Sequence, residues 1–139
     1  MNPYNKDMHT RDEGLRQFPY KDTVGKTTIG IGRNLDDVGL TEIEVYFLFF
    51  NDLKRVEDQA KTFPWYAKLN EARQAVILNM IFNLGIRGFT GFVTTLSLIG
   101  KGKYAEAADQ MLKSKWAGQV GARAQRLAEQ MRLGTYVRR

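Results

Sequence analysis

Three polar residues fall early in the 139-residue chain at a spacing that could do chemistry: Glu13, Asp22 after eight intervening residues, and Thr28 after five more. Glycoside hydrolysis needs a pair of carboxyl groups. One, protonated, gives its proton to the leaving oxygen; the other activates water or attacks the sugar. Spacing alone decides little, because the chain has 15 acidic residues and most pairs among them are surface groups. Residue counts remove other chemistries. With no cysteine there is neither a disulfide framework nor a thiolate metal site. His9, the single histidine, has no partners for a metal and reads as an ordinary helix residue. No metal site and no cofactor is expected.

The elements around these residues would have to aim them. A helix over residues 2–12, with Pro3 at its first helical position, should stop near Gly14 and leave Glu13 at its exit. Residues 18–33 read as a hairpin with Asp22 at the turn. In its second stretch Ile29 and Ile31 alternate with Thr28, Gly30 and Gly32. That pattern predicts a strand with one core face and one nearly bare face that a ligand could approach, or else a pair of bulges. Thr41 followed by Glu44 is a capping box, opening a helix to about residue 62 that Pro64 stops. Its stripe is Val45, Leu48, Phe49, Asp52, Val56 and Ala60. A second helical run covers residues 70–84 and ends at Gly85; shorter helices follow over 93–99, 104–113 and 122–133.

The pattern is α+β and mainly helical, in a single domain over residues 1–139. A small hairpin or sheet lobe (about 13–40) is followed by a long connecting helix (about 41–62) and a helical C-terminal lobe (about 65–139), leaving a cleft between the lobes. The 43% hydrophobic and 26% charged content fits a globular chain. The first residues lack the apolar core of a signal peptide, so the chain is expected to stay in the cytoplasm of the cell that makes it. No stretch of 18 apolar residues predicts a membrane span. The net charge of +6 and pI near 9.7 predict attraction to a polyanion: nucleic acid, an acidic membrane surface or acidic wall polymers. A nucleic-acid module would interleave aromatics with basic residues, and Trp116 and Tyr136 among scattered arginines do not amount to one.

The residues themselves carry more than their spacing. Asp12-Glu13-Gly14-Leu15-Arg16, Tyr20-Lys21-Asp22-Thr23, Gly25 and Thr28-Ile29-Gly30-Ile31-Gly32 closely resemble the start of T-even phage-type lysozymes, the endolysins of glycoside hydrolase family 24. The likeness continues in order through Asn51-Asp52-Leu53, residues 75–82, Gly91-Phe92, Glu106-Ala107-Ala108, residues 113–116, residues 123–126 and Gly134-Thr135.

The resemblance implies that Glu13 is the general acid, that Asp22 activates or orients the attacking water, and that Thr28 helps hold it. It implies inversion at the anomeric carbon, which calls for carboxyl groups far enough apart to admit water. It implies that the first helix packs on the C-terminal lobe. Phe82 matches a cleft-lining aromatic of the family, or is plain core. Asn34, Thr95 and Gln110 match positions that touch the sugar chain, although their residue types differ there. Arg123 matches an arginine reaching toward the glutamate, or is a surface residue of a basic helix.

Asp52 lies on an apolar stripe where an unpaired carboxylate is costly. Its family counterpart pairs with a histidine directly after the Gly-Ile-Gly strand, and Arg33 stands there in this chain. A structural Asp52–Arg33 ion pair is therefore expected. The clearest departure is the connection over residues 34–40, which is longer in the family; its shortness trims one wall of the expected cleft.

The function implied is a monomeric peptidoglycan hydrolase that cuts glycan strands, free of nucleic acid and of stable membrane insertion, reaching the wall through a membrane pore. The alternatives are a lytic transglycosylase, against which Asp22 and Thr28 argue because both serve water, and a weakly active or non-catalytic wall-binding protein.

Overall fold

The computed structural model describes residues 5–138, and the side chains of all of these except Asp12 and Glu13. In chain order the elements are α1 (Lys6–Glu13), β1 (Arg16–Lys21), β2 (Thr27–Gly30), β3 (Arg33–Asn34), α2 (Glu42–Ala60), α3 (Glu71–Thr90), α4 (Val93–Gly100), α5 (Tyr104–Leu112), α6 (Lys115–Val120) and α7 (Ala122–Leu133). The chain thus adopts the mainly helical α+β class read from its sequence. The elements fall into two units, Met1–Leu48 and Phe49–Arg139.

In the first unit, α1 begins later than Pro3 suggests. The Asn5 side chain accepts from the Asp7 and Met8 amides, the bonds an N-cap residue makes, so the first helical residue is Lys6. Pro3 lies outside the described residues. Gly14 ends the helix at φ +75, as expected from its position. His9 does more than fill a helix position: its Nε2–H donates to the Ile31 carbonyl at 2.7 Å, fastening α1 to the turn after β2.

The sheet is antiparallel in the order β1-β2-β3, with Tyr20 opposite Thr28 and Thr28 opposite Asn34. The predicted bare strand face is corrected here. β2 stops at Gly30, and Gly30 and Gly32, at φ +72 and +83, turn the chain into β3. Only glycine enters that region without penalty, so the turn itself accounts for these residues. Among the described residues 5–48, Thr28 alone is buried. With so little apolar packing, polar bonds must fix the geometry of this unit.

The capping box forms as read. The Thr41 hydroxyl accepts the Glu44 amide at 3.2 Å, and the Glu44 carboxylate accepts the Thr41 amide at 2.8 Å. Arg33 and Asp52, expected to pair with each other, each hold another partner. Both terminal guanidinium nitrogens of Arg33 donate to Glu44 at 2.7 Å, and Nη1 donates also to the Gly39 carbonyl. Asp52 pairs with Arg55 at 2.8 Å. The short 34–40 connection brings Arg33 onto the first turn of α2, where Glu44 matches its planar fork. Asp52 meets a base one helical turn away.

Hydrogen bonding from Arg33, then from the Thr41 amide, lowers the Glu44 carboxyl from an ordinary 4.5 to about 2. A carboxylate depressed on folding stabilises the native state above its unfolded value, and that contribution is lost as pH falls through the folded one. Glu44→Gln is therefore expected to be less stable than wild type near neutrality. The gap should close as pH falls from about 4.5 towards 2. Urea midpoints of the two proteins along that series check it.

The apolar core lies in the second unit, around Val76, Ile77, Met80 and Ile81 of α3. Of the stripe expected on α2, Val56 and Ala60 are buried, whereas Val45, Leu48 and Phe49 remain exposed. Burial of α2 is thus confined to its C-terminal half. Helix α3 breaks at Gly85 (φ +74, ψ +161), where the sequence places a helix end. Helix α6 escapes sequence reading, since six residues containing Gly118 show no periodicity. Ser114 caps it, and Trp116 buries its ring there while its Nε1–H donates to Asn83 at 3.1 Å. Arg73 ties α3 to the end of α7 through the Met131 and Arg132 carbonyls, with its guanidinium 3.9 Å over the Tyr104 ring. No single helix among the described residues is long and apolar enough to cross a membrane.

Candidate active site

Asp22 follows directly on β1 and closes the hairpin on itself. Its Oδ1 accepts the Val24 amide at 2.9 Å and the Lys26 amide at 2.8 Å. Its own amide donates to the Lys26 carbonyl at 2.9 Å, and its carbonyl accepts the Gly25 amide. This is the local side-chain-to-backbone bonding that makes aspartate a turn residue. Those side-chain bonds use Oδ1; Oδ2 takes no part in them.

Thr28 is only 3% exposed, and its Oγ1 donates to the Lys26 carbonyl at 2.9 Å. With its proton committed there, the oxygen is left as an acceptor. The Lys26 carbonyl therefore serves both residues, taking the Asp22 amide and the Thr28 hydroxyl. Two members of the predicted trio are brought onto one peptide group. Glu13 is the last residue of α1, three positions before β1; its side chain lies outside the described residues.

In the second unit, α2, α3 and α7 enclose a cavity of about 650 Å³. Phe49, Leu53, Phe82, Arg123, Arg126 and Gln130 are among its walls. Phe82, 40% exposed, stacks on Phe49 with ring centres 5.8 Å apart. Phe82 is thus not plain core, and it shares the cavity with Arg123. Arg126 was missed, although its place three residues after Arg123 sets both on one helical face.

The other predicted sugar contacts fare differently. Thr95 is 3% exposed and has no surface for a sugar, because α4 turns this residue into the interior. Gln110 is half-buried on α5 and lies outside the cavity wall. Asn34 is occupied locally: its amide bonds Asp37 at both ends, 3.1 Å to Oδ2 and 3.0 Å from the backbone N–H. Among the described residues no group of three or more acidic, histidine or cysteine side chains could hold a metal.

The phage lysozyme family matches this chain over residues 10–132. A probable T4-type lysozyme of Dictyostelium discoideum is 32% identical, with 94% of each chain covered. The chain belongs to the phage lysozyme family. The alignment to that relative runs over 160 positions where this chain has 139 residues, so the relative carries segments absent here. The endolysin of Salmonella phage P22 is 31% identical over 78% of each chain. The pre-baseplate central spike protein of Enterobacteria phage T4 is 29% identical over 87% of this chain, which spans 26% of that protein. As a phage lysozyme the chain is a glycoside hydrolase that degrades peptidoglycan. Glu13, Asp22, Thr28, Phe82 and Arg123 all fall inside the matched residues.

Proposed function

We propose that this lysozyme cleaves the β-1,4 bond between N-acetylmuramic acid and N-acetylglucosamine by inverting hydrolysis. Glu13 gives its proton to the leaving oxygen. Asp22 takes a proton from a water that attacks the anomeric carbon from the opposite face, and Thr28 holds that water by accepting one of its hydrogens. The observation that carries the reading is the shared Lys26 carbonyl. By accepting the Thr28 hydroxyl proton, it leaves Oγ1 as an acceptor, and it also takes the amide of an Asp22 whose Oδ2 stands outside the turn's own bonds. A water with one hydrogen on Thr28 and the other on Asp22 is set up to lose a proton to the carboxylate.

A transglycosylase would need no such water site, since it closes an anhydro ring on the sugar itself. Mass spectrometry of the fragments released from purified peptidoglycan separates the two. Reducing N-acetylmuramic acid ends are expected; anhydro ends would overturn the reading.

A further inference from the structure

We infer that Asp36 is a positioning residue for hydrolysis, holding the peptide plane that orients both Asp22 and Thr28. The inference rests on the roles proposed for those two residues. The Lys26 carbonyl and the Thr27 amide belong to one planar peptide unit with its C=O and N–H pointing to opposite sides. At the carbonyl end arrive the Asp22 amide and the Thr28 hydroxyl, each at 2.9 Å. At the amide end the Thr27 N–H donates to Asp36 Oδ2 at 2.7 Å. Asp36 thus grips the far end of the group on which the water-holding residues hang.

The surroundings favour this role. That bond, before any other influence, holds the Asp36 carboxyl below the usual carboxylate range, so it remains a charged acceptor at neutral pH. Asp36 sits in the turn after β3 that Asn34 and Asp37 close with their own bonds. From the same turn the Leu35 amide donates to the Thr27 carbonyl at 2.8 Å. Asp37 also pairs with Lys26 at 3.2 Å, but both side chains are well exposed and such pairs contribute little. A charge-assisted bond to a backbone amide is the stronger restraint. In a unit whose only buried described residue is Thr28, no apolar core would hold the plane if this bond were lost. The short connection over residues 34–40 is therefore a brace for the catalytic turn.

The test compares Asp36→Ala, Asp36→Asn and Asp22→Asn with wild type, measuring kcat and KM on purified soluble peptidoglycan fragments and the thermal midpoint of each. Asp36→Ala is expected to lose roughly ten-fold in kcat, since small misplacements of reacting groups are expensive, with KM nearly unchanged. Asp36→Asn keeps an oxygen acceptor for Thr27 and is expected to recover most of that rate. Wild-type kcat in Asp36→Ala, or equal losses in Asp36→Ala and Asp36→Asn, would overturn the inference. If Asp36→Ala does not fold, Asp36→Glu takes its place; it carries the carboxylate one methylene further, and wild-type kcat in it would equally overturn the inference. Full activity in Asp22→Asn would remove the role of Asp22 and the inference with it. An inactive Asp22→Asn beside a fully active Asp36→Ala would sink the inference alone.

Discussion

Glu13→Gln is expected to abolish hydrolysis of purified peptidoglycan, lowering kcat on the order of 10³-fold or more. Glutamine has the size and shape of glutamate but carries no acidic proton, so the leaving sugar oxygen would depart unprotonated. The described restraints on α1 use other residues. It is ended by Gly14 at φ +75 and opened by the Asn5 cap, and His9 fastens it to the sheet. The variant is therefore expected to fold and to unfold cooperatively as wild type does. Product release and thermal unfolding, measured on one preparation, separate loss of chemistry from loss of fold.

Asp22→Asn is expected to fall about 10²- to 10³-fold in kcat, also with the fold kept. The argument lies in which oxygen does what. Oδ1 accepts the Val24 and Lys26 amides and builds the turn. An asparagine carbonyl can accept both bonds, yet it cannot take a proton from water. Asp22→Ala removes the acceptor as well, and should cost about 1–2 kcal/mol of stability on top of the rate, because two backbone amides lose their partner. The two variants should thus share an activity defect and differ in urea midpoint.

Features written in local chemistry were legible in the sequence. The Thr41–Glu44 capping box, the stop at Gly14 and the break at Gly85 each depend on residues within a few positions, and each forms. The family was legible too, through the residue types around Glu13, Asp22 and Thr28 and not through spacing alone. What escaped depended on which partner is nearest in space. Arg33 finds Glu44 and not Asp52, because the abbreviated connection sets it against the first turn of α2. Gly30 and Gly32 alternate like strand residues, but their positive φ turns the chain. Thr95, expected from the resemblance to touch the sugar chain, is buried.

The brace at Asp36 was hidden for a similar reason. An Asp-Asp pair in a short loop looks like a solvated turn tip, and only the Thr27 amide pointing at it gives it a task. Asn34 followed three residues later by Asp37 was the available signal, since asparagine side chains habitually cap turns of this length.

The most direct test of the account is the anomeric configuration of the sugar end released in the first moments of reaction, read by proton NMR before mutarotation. A water activated by Asp22 and attacking opposite to the leaving group must invert the β bond, so the α anomer of the new reducing end should appear first. Appearance of the β anomer first, or of an anhydro end in place of a reducing one, would contradict the assignment of Glu13, Asp22 and Thr28 as acid, base and water holder.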